Sequence, residues 1–330
     1  MKRVIVTGGA GFIGSHLVDR LLAENCSIIV LDNFSNGSLK NLEAAQRNSL
    51  LKIEEADITD QKAIEPFFRG IDVVYHLAGL ADIVPSIERP LEYFRTNVDG
   101  TLHVMECARQ HRVKRIVYAA SSSCYGFPNQ TPTLEEAAIN PQYPYALTKF
   151  LGEQTVLHWG RIYKMNTNSL RLFNVYGPRA RTGGTYGAVF KIFLPQKIHG
   201  RPFTVVGDGQ QTRDFTYVSD VVEAIWRVSE SPLRNEIMNV GSGRTVSVNT
   251  LVQLLGGGEV VHLPKRPGEP DCTFADISKI KRLLGWRPHV SIEEGVKHLL
   301  ANIDYWKDAP VWTPEGIQSA TREWFQYLCD

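Results

Sequence analysis

The 330-residue sequence predicts an α/β fold, a doubly wound parallel sheet followed by a smaller C-terminal α/β domain. Short β-branched runs alternate with longer helical patterns through the first half, which is typical of parallel strands joined by covering helices. A glycine-spaced turn separates the first strand from the first helix. After Tyr176 glycine, proline and arginine become frequent, which indicates that a loop-rich second unit begins there.

The elements of the first half follow from hydrophobic periodicity. A helix is predicted from Phe12 to Ala23. Apolar residues at steps of three and four between Leu91 and Met105 mark one face of another helix. The predicted strands are Val4–Val6, Ile28–Leu31, Leu51–Ile53, Val73–Tyr75, Arg115–Ala119 and Asn168–Leu172.

A helical pattern followed by a strand pattern returns late in the chain, near residues 218–228 and 236–240. We therefore expect part of the second half to rejoin the first domain. The predicted first domain is 1–176 with 217–242, and the predicted second domain is 177–216 with 243–330.

Composition excludes several classes of protein. An apolar share of 43% is enough for a sizeable core but too low for a membrane protein. Net charge is +1 without a basic block, so neither nucleic acid nor a membrane is an expected partner. Five widely spaced cysteines without a CxxC pair predict neither a disulfide framework nor a metal site. We expect a soluble, cytoplasmic protein.

The turn after the first strand has glycines at every third position, Gly8, Gly11 and Gly14. Glycines at such a strand–turn–helix junction allow a tight turn, close approach of a pyrophosphate, and close packing of helix on strand. Asp32 ends the second strand, where a carboxylate binds ribose hydroxyls and repels a 2′-phosphate. The pattern predicts a Rossmann-type site for NAD rather than NADP, and Asp57, after the third strand, can meet the adenine edge.

Tyr145 and Lys149 open a helix after Pro144, and their i, i+4 spacing places phenol and ammonium on one face. A lysine charge lowers the pKa of a nearby phenol, which can then remove a proton from a substrate hydroxyl. The fifth strand ends in three serines, residues 121–123, at the carboxyl edge where such sheets bind ligands. One of these serines can hydrogen-bond the same hydroxyl.

Further short motifs extend along the chain: Asp32-Asn33, Asp57-Ile58, HLAG (His76–Gly79), Asn97, SSSCYG (Ser121–Gly126), NVYGPR (Asn174–Arg179), GDGQQTRDF (Gly207–Phe215), RPGEPD (Arg266–Asp271) and LGW (Leu284–Trp286). With TGGAGFIG (Thr7–Gly14) and YALTK (Tyr145–Lys149), they make the sequence resemble the extended short-chain dehydrogenase/reductase family, the NAD-dependent sugar-nucleotide epimerases and dehydratases. The resemblance covers nearly the whole chain. It is less specific for the substrate than for the family.

The resemblance implies a role for individual positions. Ser121, Tyr145 and Lys149 match the catalytic triad of the family, whereas His76 is expected to be structural. It also implies a homodimer formed through the helices at 91–105 and 145–163. The implied cofactor-binding residues are Gly8, Gly11, Phe12, Ile13, Gly14, Asp32, Asn33, Asp57, Ile58, Leu77, Ala78, Gly79, Asn97, Tyr145 and Lys149, and the implied substrate-binding residues are Ser122, Ser123, Asn174, Arg213, Arg266, Glu269 and Thr273.

The serines also bear on the type of reaction. Dehydratases of the family have Thr-Asp-Glu where this chain has Ser121 to Ser123, and hydroxyls cannot act as that acid–base pair at neutral pH. Related decarboxylases need a glutamate there. The expected reaction is therefore NAD-dependent 4-epimerisation of a UDP-hexose through a 4-keto intermediate.

The sequence leaves the identity of the substrate open. A small residue at Thr273, which helps to size the C2 pocket in similar epimerases, leaves space for an N-acetyl group. Ala81 stands where some hexose epimerases have a cofactor-contacting lysine. The alternatives are a UDP-glucuronate 4-epimerase, another nucleotide-sugar epimerase or reductase, and an NAD-binding regulator without activity.

Overall fold

The computed structural model describes residues 1–184 and 186–328; Thr185, Cys329 and Asp330, which belong to the predicted second domain, lie outside the described residues. Its centre is a seven-stranded sheet in which every neighbouring pair is parallel. The strands are β1 (Arg3–Thr7), β2 (Ser27–Asp32), β3 (Leu51–Glu55), β4 (Val73–His76), β5 (Arg115–Ser121), β6 (Asn166–Leu172) and β7 (Glu236–Val240).

The strand order is β7-β6-β5-β4-β1-β2-β3, so the direction of winding reverses between β1 and β4. At such a switch point the connections leave in opposite directions and open a crevice at the carboxyl ends of the strands. This doubly wound order confirms the predicted fold class, and each strand predicted in the first half is present with slightly wider bounds.

Both faces of the sheet are buried. Along β1, Val4 and Val6 pack into one hydrophobic cluster and Ile5 into the other, and all three are fully buried. The alternation follows from the two-residue repeat of a strand. Covering helices supply the rest of each cluster, which explains why the strands are apolar at consecutive positions.

Thirteen α-helices occur among the described residues: α1 (Phe12–Ala23), α2 (Gln61–Ile64), α3 (Ile83–Glu88), α4 (Pro90–Phe94), α5 (Gly100–Gln110), α6 (Pro144–Ile162), α7 (Val189–Ile198), α8 (Val218–Glu230), α9 (Val248–Leu254), α10 (Ser278–Leu284), α11 (Ile292–Ala301), α12 (Pro314–Ala320) and α13 (Arg322–Leu328). Shorter helical turns lie at Leu39–Leu42, Glu65–Phe68, Ser122–Tyr125 and Ile303–Trp306. The predicted helix Phe12–Ala23 is confirmed to the residue.

The predicted single helix between Leu91 and Met105 is interrupted in the structure. A π-helical turn at Arg95–Asp99 separates α4 from α5 and rotates the faces of the two helices relative to each other. Met105 is buried, but Leu91 is 71% exposed and Phe94 36%. Regular periodicity cannot reveal such a local change in helical repeat.

The second half of the chain builds small sheets beside the carboxyl edge of the large one. Phe203–Val206 pairs in parallel with Val260–Leu263. Thr212–Arg213 is the middle strand between Val246–Ser247 and Cys272–Thr273. Val175–Tyr176 pairs with Thr216–Tyr217.

Helix α8 and strand β7 belong to the layers of the large sheet although they come late in the sequence. Strand β7 pairs in parallel with β6, and α8 packs on α1 and β5. The chain therefore passes from the large sheet to the small ones, returns, and leaves again. No helix in the described part of the chain is long and apolar enough to cross a membrane.

Candidate active site

The glycine turn is shaped by close backbone packing. Gly8 has a φ of +70°, and a Cβ there would lie 2.7 Å from the Ala78 nitrogen. A Cβ at Gly14 would overlap the Gly8 carbonyl oxygen. Helix α1 begins directly after Gly11, which provides no side-chain cap, so its first N–H groups are left for a ligand. These features fit a dinucleotide pyrophosphate at the helix N-terminus.

Asp32 lies at the end of β2 beside this turn and is 7% exposed. Its two carboxylate oxygens accept hydrogen bonds from the Ala10 and Phe34 N–H groups, each at 2.9 Å. Burial raises the pKa of Asp32, and the two backbone donors act against that rise. Each oxygen retains a lone pair, so the carboxylate can still accept a ribose hydroxyl.

Asn33 and Asp57 connect the ends of β2 and β3. The Asn33 amide donates to Asp57 at 2.8 Å, and the Thr59 N–H donates to the same carboxylate at 2.8 Å. Although burial works to raise it, these donors hold the pKa of Asp57 below its usual value. The next residue, Ile58, is buried, and its side chain packs in the core against Gly100.

Asn97 holds the loop that follows β4. Its amide accepts from the Leu80 N–H at 2.8 Å and donates to the Leu80 carbonyl and to the Thr148 hydroxyl, both at 3.0 Å. Both amide hydrogens are thus used within the protein, and the residue is 1% exposed. Asn97 therefore connects Leu80, in the loop after β4, to Thr148 of helix α6.

His76 is fully buried between the hydroxyls of Thr7 and Thr101, at 2.7 and 3.0 Å from its ring nitrogens. Burial lowers its pKa to about 3, so the ring is neutral at ordinary pH. This agrees with a structural rather than a basic role.

The phenol of Tyr145 is hydrogen-bonded to Ser121, the last residue of β5. It donates to the Ser121 hydroxyl at 3.2 Å, and Ser121 and Ser123 share a hydrogen bond of 2.8 Å. Lys149 follows one turn later in α6, with its ammonium 4.3 Å from the centre of the Tyr118 ring. The parallel sheet and a helix starting at Pro144 bring these groups together.

Burial has the largest effect on the pKa values of Tyr145 and Lys149. It raises the pKa of Tyr145 above its ordinary value, while the hydrogen bond with Ser121 works to lower it. Burial also lowers the pKa of Lys149 to about 7, which Glu153 counteracts. The predicted lowering of the phenol pKa is therefore wrong for this structure, because loss of hydration has the larger effect.

On the opposite wall, Glu269 bridges two arginines. It accepts from Arg213 at 2.9 Å and from Arg266 at 3.4 Å. The sequence also allows a surface ion pair between Arg213 and the adjacent Asp214, but the Asp214 carboxylate is fully buried and accepts from backbone N–H groups. Two guanidinium groups that share one carboxylate leave net positive charge for an anionic ligand.

Asn174 and Thr273 lie together, since the Thr273 hydroxyl donates to the Asn174 side-chain oxygen at 2.9 Å. They border the same cavity, which has a volume of about 530 Å³ and lies at the carboxyl edge of the sheet. The predicted site residues that line it are Phe12, Ile13, Leu77, Gly79, Ser121, Ser122, Ser123, Tyr145, Lys149, Asn174, Arg213, Arg266, Glu269 and Thr273.

The remaining predicted residues are not part of this lining. They form the glycine turn, the ends of β2 and β3, and the support of the loop after β4: Gly8, Gly11, Gly14, Asp32, Asn33, Asp57, Ile58, Ala78 and Asn97. Within the described ranges, no group of three or more histidine, cysteine or acidic side chains could hold a metal ion.

Sequence reasoning missed several lining residues, among them Asp82, Tyr143, Tyr186 and Trp324. Tyr143 stands two residues before Tyr145 and stacks on it, with ring centres 6.3 Å apart. The sequence signal for Tyr143 is its place directly before Pro144 and Tyr145. Trp324 comes from the far end of the chain, and no local pattern connects it to the site.

Comparison with known proteins identifies the family of this chain. Residues 4–241 match the NAD dependent epimerase/dehydratase family, and the chain belongs to that family. It is 35% identical to the UDP-glucose 4-epimerase of Mycolicibacterium smegmatis over 302 residues, which is 89% of this chain and 96% of the relative. The family predicted from the motifs is thereby confirmed.

A UDP-N-acetyl-alpha-D-glucosaminuronate decarboxylase of Bacillus cytotoxicus is 32% identical over 91% of this chain and 97% of its own length. The crystal structure of UDP-glucose 4-epimerase from Thermotoga maritima with UDP-glucose superposes with a TM-score of 0.86 at 35% identity, covering 92% of this chain and 98% of that one. Overall similarity therefore extends to proteins with different reactions, and the residues of the site have to distinguish between them.

Proposed function

We propose that this enzyme catalyses NAD-dependent 4-epimerisation of a UDP-hexose, with UDP-glucose/galactose and UDP-GlcNAc/GalNAc as the substrate class. The observation that supports it most directly is the hydroxyl chain Tyr145–Ser121–Ser123 beside Lys149, at the carboxyl edge of the sheet. This arrangement offers one acid–base group for a hydroxyl proton. Carboxylates are missing at the positions where a dehydratase of the family has them.

The glycine turn and Asp32 are proposed to hold the cofactor by its pyrophosphate and ribose. NAD, when bound there, supplies the acceptor and then the donor of the C4 hydride. The Tyr145 phenolate takes the proton of the sugar C4 hydroxyl, and Ser121 donates a hydrogen bond to the reacting oxygen. After the 4-keto sugar has rotated in the site, Tyr145 returns the proton to the new C4 hydroxyl. Because the hydride also returns to C4, no net redox change occurs.

Arg213 and Arg266 are proposed to bind the diphosphate, because planar guanidinium groups match phosphate oxygens bidentately. Glu269, which bridges them, is proposed to accept a ribose hydroxyl of the nucleotide. Asn174 and Thr273 are proposed to face the sugar, where the short Thr273 side chain leaves room at C2. Ser122 and Ser123 supply further hydroxyl contacts.

The proposal is tested by incubating the purified enzyme separately with UDP-glucose, UDP-GlcNAc and UDP-glucuronate without added NAD. Formation of the C4 isomer of either hexose supports it. Turnover of UDP-glucuronate alone would move the assignment to a uronate epimerase. Three unchanged substrates with NAD retained would contradict the proposed substrate class and leave another nucleotide sugar or the regulator without activity.

We further propose a cytoplasmic homodimer. Helices α4 and α5 pack against α6, and these helices leave apolar side chains exposed, among them Leu91, Phe94, Leu147 and Ile162. A second copy of the chain is proposed to cover this face. Sedimentation of the enzyme and of Leu91→Glu tests it: a dimer that the charge dissociates is expected, and a monomer at all concentrations would refute it.

A further inference from the structure

The C-terminal segment, residues 313–328, lies over the cavity that holds the catalytic groups. Its helix α13 packs against α3, which follows the loop after β4. Trp324 of this helix lines the cavity and is 3% exposed. Its indole N–H donates to the Pro267 carbonyl at 2.7 Å. The segment is thus attached directly to the loop that contains Arg266.

Arg266 lies close to two aromatic rings. Its guanidinium lies 5.3 Å from the centre of the Trp324 ring and 4.7 Å from that of Tyr186. It also contacts the Tyr186 hydroxyl and pairs with Glu269. Both rings lie within the distance at which a ring face attracts a cation.

The same segment and the residues leading into it support the second ring as well. Trp312 meets Tyr186 edge-on, with ring centres 5.5 Å apart, and its carbonyl accepts from Gln196 at 2.8 Å. Ile317 anchors α12 in the core at 3% exposure. The end of the chain therefore contacts Arg266 through Trp324 and supports its other aromatic neighbour, Tyr186, through Trp312.

We propose that Trp324 is a positioning residue, which holds Arg266 in the orientation that receives the diphosphate of the nucleotide sugar. The inference rests on the proposed function, since it names the same diphosphate site. A long arginine side chain loses rotational freedom on binding a ligand, and a side chain already held against two rings loses less of it. Trp324 accordingly affects nucleotide affinity; its ring centre lies 6.4 Å from that of Tyr143 and reaches the phenol of Tyr145 only through this neighbour.

The test is calorimetric titration of the NAD-loaded enzyme with UDP, together with kcat and KM for the substrate. Trp324→Ala is expected to weaken UDP binding roughly tenfold, the size of a partly buried cation–ring contact, and to raise KM with kcat nearly constant. Trp324→Phe, which keeps a ring, should recover most of the affinity. Tyr327→Ala is the matched control, because Tyr327 is in the same helix but 63% exposed, and it should bind as the wild type does.

A double-mutant cycle separates positioning from general damage to the fold. If Trp324 acts through Arg266, its removal costs nothing further in an Arg266→Ala background. An equal loss in both backgrounds, or wild-type affinity in Trp324→Ala, would overturn the inference. Trp324→Leu replaces the alanine variant if the latter does not fold. Failure of the wild type to bind UDP would instead contradict the proposed function.

Discussion

Replacing Ser121 with alanine tests how the phenol of Tyr145 is activated. Burial raises the pKa of Tyr145, and the hydrogen bond with Ser121 at 3.2 Å opposes that rise. A hydrogen bond to a charged group contributes about 1.5–3 kcal/mol, and 1.36 kcal/mol corresponds to one pH unit. Without it, the pKa of Tyr145 should rise further, and the lost interaction sets the size of the expected effect.

The sign follows from the form that reacts. The phenolate removes the proton, so a higher pKa leaves less phenolate at any pH below it. In Ser121→Ala, kcat at pH 8 should fall about 10- to 100-fold and recover as the pH rises, measured by isomer formation across an alkaline pH series. Ser122→Ala is the matched control, because Ser122 has no hydrogen bond with the phenol among the described contacts, and its profile should not move along the pH axis. An equal loss at every pH would refute the reasoning and leave Ser121 as a substrate contact only.

Three further substitutions test other parts of the site. Tyr145→Phe should retain NAD and lose about 10²- to 10⁴-fold in turnover, and a fully active variant in the same isomer assay would contradict its role as acid and base. Gly14→Ala should abolish retention of NAD through purification, measured by absorbance of the released cofactor, because a Cβ overlaps the Gly8 carbonyl; wild-type occupancy would show that the turn can open. Glu153→Gln should destabilise the fold by about 3 kcal/mol in urea titration, since it removes the negative charge that pairs with the buried Arg171; a change below about 1 kcal/mol would mean that the ion pair adds little net stability.

The sheet and the cofactor turn could be predicted because their physics is local. A strand buried on both faces needs consecutive apolar residues, and a turn as tight as that at Gly8 needs glycine. Both requirements leave a readable pattern over a few positions. The same holds for Tyr145 and Lys149, which share one helix face.

Contacts between distant segments could not be predicted in this way. Trp324 meets Arg266 only after the chain has left the large sheet, returned to it through β7, and left again. The buried pair of Glu153 and Arg171 connects α6 to β6 through side chains whose burial no periodicity reveals. The pKa of Tyr145 likewise depends on its burial, which opposes the effect of the Ser121 hydrogen bond. The sequence motif alone does not indicate how deeply the phenol is buried.

The most direct test of the proposed epimerisation follows the hydrogen at C4. UDP-hexose labelled with deuterium at C4 is converted in ordinary water without added NAD, and the product is examined by NMR. The expected product is inverted at C4 with the deuterium still attached to that carbon, because the hydride leaves and returns within the same active site. Loss of the label to water with inversion, or conversion to a product other than the C4 isomer, would contradict it.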